Sequence, residues 1–255
     1  MKIFLSSLYF FSAFTFAATC NKPVYLTFDT GNMAVAEYVA STLSKHQVKA
    51  TFFLANEKTK RGDFSLDDSW SSFWKNLKKE GHVFGNHTYQ HTYFINDLDN
   101  NKVMVRPQFG PYAGKKVTVD QPNLCSELQL VNERFKKMTG SPLDPVWRAP
   151  GGKVSPQYIE MGHICGYTHI GWSPAGFLGD ELSSEKFSNK YLLDKALREI
   201  RSGDVLMAHL GIWSRQDAWA PAVLEPLIIG LKEKGFCFET INQTKRNSQF
   251  SRIIQ

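Results

Sequence analysis

The sequence predicts an α/β fold in which about seven strands form a mainly parallel sheet that closes into a barrel. Short runs of β-branched and aromatic residues alternate along the chain with stretches whose apolar residues recur at helical spacing, as in repeated βα units. The chain has 255 residues and a hydrophobic content of 42%, which is enough for one substantial core, and no stretch has the composition of a long linker. We therefore expect one folded domain, over residues 19–255.

Apolar runs predict the strands at residues 24–28, 50–54, 82–85, 146–147, 167–172, 205–208 and 236–241. Amphipathic segments predict the helices at residues 33–45, 70–79, 124–137, 156–165, 190–201 and 221–234. Two segments, 56–69 and 101–121, do not fit the alternation. Both should lie at the carboxyl ends of the strands, which is the active-site face of a barrel. We interpret them as loops that shape a substrate site, with a hairpin near residues 103–119.

The first 18 residues predict a secretory signal peptide and not a membrane anchor. Lys2 is followed by an apolar run to Phe16 that is shorter than the roughly 20 residues needed to span a bilayer, and small residues come next. We expect a secreted or periplasmic monomer without a stable membrane anchor. The formal net charge of +6 suits an anionic polymer such as cell wall, whereas the basic residues are too dispersed to indicate a nucleic-acid site.

The four cysteines permit two disulfides in an oxidising compartment, in three alternative connectivities. Cys20 precedes the first predicted strand and Cys237 opens the last, and these strands are neighbours if the barrel closes. We therefore expect a Cys20–Cys237 bond, which leaves Cys125 to pair with Cys165.

The segment 85–91, Gly-Asn-His-Thr-Tyr-Gln-His, places two imidazoles four residues apart. If it winds as a helical turn, His87 and His91 fall on one face and form a clamp for a divalent metal ion. Imidazole suits zinc and its transition-metal neighbours, and a catalytic zinc site uses three protein ligands and one open position. The pair is therefore one ligand short.

Four motifs in order along the chain carry a family resemblance. They are Thr-Phe-Asp-Thr-Gly at 27–31, His-Thr-x-x-His at 87–91, Arg-Ala-Pro-Gly-Gly at 148–152 and Leu-Met-Ala-His at 206–209. The chain resembles the polysaccharide deacetylases, the NodB-homology group of carbohydrate esterase family four. This resemblance implies a distorted (β/α) barrel and metal-dependent removal of acetyl groups from N-acetylglucosamine in chitin, peptidoglycan or related polymers.

Amide hydrolysis needs a nucleophilic water, stabilisation of the oxyanion and a proton for the leaving amine. The resemblance implies that Asp29 is the catalytic base, that Arg148 holds this base and that His209 is the general acid. Asp29 has an alternative role as a structural carboxylate that caps the next helix. The Gly151 N–H is a candidate oxyanion donor, because glycine lets the backbone approach a substrate closely.

Three further residues are candidates for substrate binding. Trp172 can stack on a sugar ring, although packing in the core is an equal alternative. Met207 stands where the family usually has a leucine that bounds the acetyl methyl group, and Trp213 lies on the loop after His209, where it could form a sugar-binding rim.

The chain departs from the family pattern at two places. Thr30 replaces an aspartate that normally binds the metal, so the third ligand is Asp29, another acid such as Glu57 or Asp63, or water. The segment around Trp172 also lacks the aspartate that in the family orients the arginine. Arg148 must therefore pair elsewhere, with Asp180 as the first candidate and Glu181 or Asp204 as the next.

Two functions from different classes follow. The preferred one is a secreted amidohydrolase that acts on peptidoglycan or a related N-acetylated glycan with a divalent metal, Zn²⁺ first. The rival is a non-catalytic glycan-binding relative that kept the cleft and lost the metal chemistry with the acid at position 30. An enzyme for a different acyl group, or without metal, is a third alternative.

Overall fold

The computed structural model of the protein describes residues 20–241. The expected signal peptide, residues 1–18, lies outside the described residues, as do residues 242–255. Within residues 20–241, no helix has both the length and the apolar character needed to cross a membrane.

The described chain forms strands and helices in the following order: β1 (Pro23–Asp29), α1 (Ala36–Lys45), β2 (Thr51–Leu54), α2 (Ser71–Lys79), β3 (Val83–Asn86), β4 (Tyr93–Leu98), β5 (Lys102–Arg106), β6 (Val117–Val119), α3 (Gln121–Thr139), β7 (Val146–Trp147), α4 (Pro156–Ile164), β8 (Thr168–His169), α5 (Asn189–Glu199), β9 (Val205–His209), α6 (Glu225–Glu233) and β10 (Cys237–Phe238). Side-chain caps begin three of the helices. Asp120, Ser155 and Ser188 each accept a hydrogen bond from the backbone N–H three residues on, at the starts of α3, α4 and α5.

The parallel sheet has the order β9, β1, β2, β3, β7 and β8, and β10 pairs with the start of β1. After β8 the chain returns to the far edge of this sheet. Phe177 forms a parallel bridge with Met207 of β9, and the Leu178 N–H donates to the Met207 carbonyl. The sheet therefore curls into a distorted (β/α) barrel, and the predicted α/β class with its parallel strands is confirmed.

Alternation along the strands separates the core from the barrel interior. Phe28, Phe52 and Phe84 are in register on β1, β2 and β3, with neighbouring ring centroids 5.6 Å apart, and Trp74 of α2 packs against them. Because successive side chains of a strand point to opposite faces, Asp29 faces the barrel interior when Phe28 faces the helices. Packing of the aromatic layer thus places a carboxylate at the end of β1.

The hairpin expected near 103–119 is confirmed, because β5 pairs with β6 and Val103 lies opposite Val119; β4 adds a third antiparallel strand to it. Two local predictions differ from the structure. Helix α1 begins at Ala36 and not at 33, because Met33 has a left-handed backbone with φ 60°. The strand expected at 167–172 ends at His169, because the next two carbonyls accept hydrogen bonds from the Arg148 side chain.

Two disulfides join distant parts of the chain. Cys20 is bonded to Cys237, at the strand pair of β1 and β10, and Cys125 of α3 is bonded to Cys165 at the end of α4. These are the pairs expected from the sequence. Their sequence separations are 217 and 40 residues.

The loop lengths predict different contributions to stability. On loop-closure entropy alone, removal of the 125–165 bond as a double serine variant should lower the free energy of unfolding by about 4 kcal/mol, and removal of the 20–237 bond by about 5 kcal/mol. Chemical denaturation of the two variants beside the oxidised parent measures both values. A larger loss for the 125–165 variant would show that loop length does not set the order.

Candidate active site

The predicted site residues come together because their strands end at one edge of the sheet. Asp29 is the last residue of β1, His87 follows β3, Arg148 follows β7 and His209 is the last residue of β9. The carboxyl ends of parallel strands form one face of a barrel, so residues far apart in sequence meet there.

Arg148 and Asp29 form a buried ion pair. The Nη1 of Arg148 lies 2.8 Å from Oδ1 of Asp29 and 2.9 Å from the Thr27 hydroxyl. Its Nε and Nη2 donate to the carbonyls of Ile170 and Gly171 at 3.1 and 3.0 Å. The guanidinium is thus satisfied by one carboxylate and neutral oxygens. The expectation that Asp180, Glu181 or Asp204 pairs with Arg148 is wrong, because backbone carbonyls occupy its remaining donors.

The ion pair sets the charge of Asp29. Burial opposes ionisation, but the positive charge of Arg148, with smaller contributions from His87 and His209, outweighs burial and lowers the pKa of Asp29 below its ordinary value. The second carboxylate oxygen of Asp29 lies 3.5 Å from Nε2 of His87. Asp29 is therefore an ionised carboxylate with one oxygen directed to the histidine pair.

His209 is held in the opposite charge state. Its Nδ1 lies 3.1 and 3.2 Å from the two carboxylate oxygens of Asp180, and its backbone N–H donates to the same group at 2.7 Å. Burial disfavours the imidazolium, but Asp180, with Asp29 and Glu181, outweighs it and raises the pKa of His209 to about 10. The ring is protonated at neutral pH. Because Nδ1 is bonded to Asp180, Nε2–H carries the proton that His209 can give.

The histidine motif has a different backbone from the predicted helical turn. Thr88 and His91 have left-handed φ angles of 60° and 48°. Side chains fix this turn: the Thr88 N–H donates to Asn86, the Thr92 N–H to the Thr88 hydroxyl and the Gln90 N–H to Glu127 of α3. The helical-turn expectation is therefore wrong, because these hydrogen bonds to side chains replace those of a helix.

The turn nevertheless brings the two imidazoles together, with ring centroids of His87 and His91 5.0 Å apart. The Nδ1–H of His87 donates to the Arg148 carbonyl at 2.9 Å, which leaves Nε2 as the acceptor. Burial, only partly opposed by Asp29, lowers the pKa of His87 to about 4. His87 is therefore a neutral imidazole with a free lone pair, the form that binds a metal.

Within residues 20–241, no group of three His, Cys, Asp or Glu side chains is already arranged to hold a metal ion. The donor chemistry beside the two imidazoles still fits a divalent cation. Glu57, on the loop after β2, is 8% exposed. Burial opposes its charge, but His91, the Thr30 hydroxyl and His87 lower the pKa of Glu57. Two imidazoles and one carboxylate are a usual ligand set for a catalytic divalent ion, and they would meet on it after side-chain rotation.

The candidate substrate residues lie around this centre. Trp172 is half-buried, 5.6 Å from the Arg148 guanidinium, and covers Gly152, where a Cβ would lie 2.3 Å from the indole. Met207 is buried in β9, in register with Thr27.

Trp213 is 56% exposed. A cavity of about 440 Å³ opens beside it and is also lined by Asn32, Lys60, Asp180, His209 and Arg215.

Gly151 lies against Tyr93, a residue that the sequence analysis did not select. Gly151 has φ 69°, and a Cβ there would lie 3.0 Å from the ring of Tyr93. Tyr93 begins β4, and its ring centroid is 5.1 Å from that of His91. Burial, with Glu57, raises the pKa of Tyr93, so its hydroxyl stays protonated at the cleft. Only the unrecognised strand β4 could have indicated this residue.

Comparison with known proteins identifies the family. Residues 17–170 match the family described as polysaccharide deacetylase. The peptidoglycan-N-acetylmuramic acid deacetylase PdaA of Bacillus subtilis is 30% identical over 233 residues, which cover 91% of this chain and 74% of that protein. A peptidoglycan-N-acetylglucosamine deacetylase of Bacillus cereus is 24% identical, over 88% of this chain and 89% of that protein.

Solved structures share the fold. A family 4 acetyl xylan esterase from Clostridium thermocellum, in complex with a cobalt ion, has a TM-score of 0.64 at 20% identity, over 86% of this chain and 88% of that chain. A family 4 pseudoenzyme from Bacillus anthracis has a TM-score of 0.62 at 20% identity, over 86% of this chain and 64% of that chain. The match over residues 17–170 and the relative at 30% identity establish that the chain belongs to the polysaccharide deacetylase family, a family of hydrolases that act on N-acetyl groups.

Proposed function

We propose that the protein is a secreted, metal-dependent deacetylase that hydrolyses the N-acetyl group of N-acetylglucosamine in peptidoglycan or a related glycan, with Zn²⁺ as its ion. One observation carries this proposal. Asp29 is held ionised by Arg148 and His209 is held protonated by Asp180, and both lie at the barrel end that carries the neutral imidazole of His87. A base and an acid whose neighbours push their pKa values apart are what hydrolysis of an amide requires at neutral pH.

Asp29 acts as the general base. Its Oδ1 stays on Arg148, and its Oδ2, on the side of His87, accepts the proton of the attacking water. Arg148 is not itself consumed in the step. It keeps the carboxylate ionised in a buried site where a lone carboxyl group would otherwise take up a proton.

His209 acts as the general acid. Its Nε2–H gives a proton to the nitrogen of the leaving amine, and Asp180 stabilises the imidazolium until that transfer. The Gly151 N–H is the proposed donor to the oxyanion; its left-handed φ of 69° favours glycine, and a Cβ there would crowd the ring of Tyr93.

His87 and His91 hold the metal in this proposal. A divalent ion supplies Lewis acidity to the acyl oxygen and lowers the pKa of a water molecule. Donation of Nδ1–H to the Arg148 carbonyl orients the His87 ring and keeps its Nε2 available, which is the usual role of such an outer contact.

The substrate class and the location are supported by several features. Both relatives described above are named as deacetylases of peptidoglycan. The formal charge of +6 and the cavity beside Trp213 suit an anionic glycan of the cell wall. Trp172 and Trp213 would stack on sugar rings, and Met207 would bound the acetyl methyl group. Two disulfides support an exported protein, secreted or periplasmic, which we propose acts as a monomer.

Substitution of the proposed acid and ligand should separate catalysis from metal binding. His87→Ala should lose the metal and the activity together, because it removes a ligand. His209→Ala should keep the metal and lose roughly a hundred- to ten-thousandfold in rate, because only the proton donor is removed. Metal content and acetate release from peptidoglycan and chitin oligomers are measured on the same preparations.

The control is His163→Ala, which changes a histidine on the outer surface of α4. It should leave both properties unchanged. Full activity of His209→Ala would remove His209 as the acid. A wild-type protein that binds the glycans but releases no acetate would instead be a non-catalytic glycan-binding relative.

Removal of the Asp180 charge should change the pH dependence of the rate. Asp180 raises the pKa of His209 to about 10, so the acid is protonated at all pH values below that. In Asp180→Asn the pKa of His209 should fall, and the alkaline limb of the kcat/KM profile should move to lower pH, so that activity is lost first at high pH. Asp194→Asn, on an exposed face of α5, is the matched control. An unmoved alkaline limb in Asp180→Asn contradicts the assignment.

A further inference from the structure

We propose that Glu57 is the third protein ligand of the metal site, so that the carboxylate missing at position 30 is supplied from the loop after β2. The inference rests on the proposed function, because it concerns the divalent ion of that site. It assigns the third ligand position, which His87 and His91 leave open.

The position of Glu57 follows from the strand order. Strand β2 lies between β1 and β3, and Glu57 comes three residues after its end. Glu57 therefore lies on the loop that follows β2, between Thr30 at the end of β1 and His87 at the end of β3. Its Oε1 accepts hydrogen bonds from the Thr30 hydroxyl at 2.5 Å and from the Gly31 N–H at 2.8 Å. The carboxylate thus lies against the residue that replaces the usual acid.

Thr30 has become a support for this carboxylate. Its hydroxyl accepts a hydrogen bond from the Ala55 N–H at 3.2 Å and donates its own proton to Glu57. A hydroxyl committed in both directions is a poor metal ligand, whereas a hydrogen-bond donor behind a ligating carboxylate is the usual outer contact of a metal site. The threonine at position 30 is therefore consistent with a carboxylate ligand supplied by Glu57 in place of the usual aspartate, and not with the loss of that ligand.

The charge balance at Glu57 calls for a cation. The carboxylate is 8% exposed, and no lysine or arginine within residues 20–241 forms an ion pair with it. Burial of a carboxylate is costly unless a positive charge or a metal compensates it. The imidazoles of His91 and His87 act on this carboxylate electrostatically. Within residues 20–241, the hydrogen bonds to the carboxylate both fall on Oε1, so Oε2 is left for an ion.

The backbone of Glu57 is held in place for this role. Its N–H donates to the Ser65 hydroxyl at 2.9 Å, its carbonyl accepts from the Ser65 N–H at 2.9 Å, and the Ser65 hydroxyl donates to the Ala55 carbonyl at 2.5 Å. A metal ligand on a loop needs such contacts, because ordering a mobile carboxylate on binding costs entropy and weakens the affinity for the metal.

The competing acids are already committed. The carboxylate of Asp63 accepts hydrogen bonds from Thr59, Ser69 and Trp70 within its own loop. Asp29 gives one oxygen to Arg148 and is required as the base. Of these three acids, Glu57 has a carboxylate oxygen that neither a hydrogen bond nor the proposed base step uses.

The test is the affinity of the full chain for Zn²⁺, measured by chelator competition, with the absorption spectrum of the Co²⁺ form as a second readout. Glu57→Gln keeps the shape of the side chain and removes its charge, so it should weaken Zn²⁺ binding at least about a hundredfold and change the Co²⁺ spectrum. Adding Thr30→Asp to this variant should recover affinity, because it returns a carboxylate to the end of β1.

Three further variants complete the experiment. Glu133→Gln, on the exposed face of α3, is the matched control and should bind like the wild type. Asp63→Asn should also retain the affinity, and a loss there would transfer the role to Asp63. Thr30→Val removes only the supporting hydroxyl and should weaken binding less than Glu57→Gln, so it tests the inference if Glu57→Gln does not fold.

The outcomes distinguish this inference from the function on which it rests. If the wild-type chain binds Zn²⁺ and Glu57→Gln binds it equally well, Glu57 is not a ligand, although the metal-dependent function stands. If the wild-type chain binds no divalent ion, both the inference and the metal dependence are overturned.

Discussion

The buried ion pair of Asp29 and Arg148 is the interaction on which the rest of the site depends. It joins the ends of β1 and β7, which are 119 residues apart in sequence, and both partners are almost fully buried. A buried pair is costly unless its remaining donors are satisfied, and here Thr27, Ile170 and Gly171 satisfy those of the guanidinium. The charge of the proposed catalytic base therefore depends on contacts among the ends of β1, β7 and β8.

The same arginine connects the proposed base to the proposed metal ligands. Its side chain keeps Asp29 ionised, while its backbone carbonyl accepts the Nδ1–H of His87 and sets the tautomer of that ring. On the other side, Asp180 gives His209 the opposite charge. Arg148 keeps Asp29 deprotonated, and Asp180 keeps His209 protonated at the same pH. Two such groups allow one site to provide both a general base and a general acid. The groups proposed for metal binding and for proton transfer therefore lie at the ends of the same few strands.

The sequence was sufficient for the parallel sheet and for most residues of the candidate site. Alternating β and α patterns located the strands. The resemblance of four ordered motifs to the polysaccharide deacetylases selected Asp29, His87, Arg148 and His209, and these residues meet because the carboxyl ends of parallel strands form one face of a barrel. The Cys20–Cys237 pair followed from the neighbour relation between the first and last strands, and the other pair followed by elimination.

The predictions that failed depended on contacts between distant parts of the chain. The turn at His91 has a left-handed backbone because Glu127, 37 residues away along the chain, accepts the Gln90 N–H. The sequence indicates Asp180 as a partner of Arg148, but in the structure it bonds to His209. Which of these two basic side chains it meets depends on how the segment after β8 returns to β9. Arg148 bonds to the carbonyls of Ile170 and Gly171, and these bonds take the place of a longer β8. Contacts of this kind leave no periodic pattern in the sequence.

The central claim is that Arg148 keeps Asp29 as the base and thereby leaves the cation to His87, His91 and Glu57. The most direct measurement is an anomalous difference map from crystals grown with Zn²⁺ and recorded at the zinc absorption edge. The account predicts one peak bonded to both imidazoles and to the Glu57 carboxylate, with Asp29 still paired to Arg148. A peak bonded to Asp29 in place of Glu57, or the absence of a peak at these side chains, would contradict it.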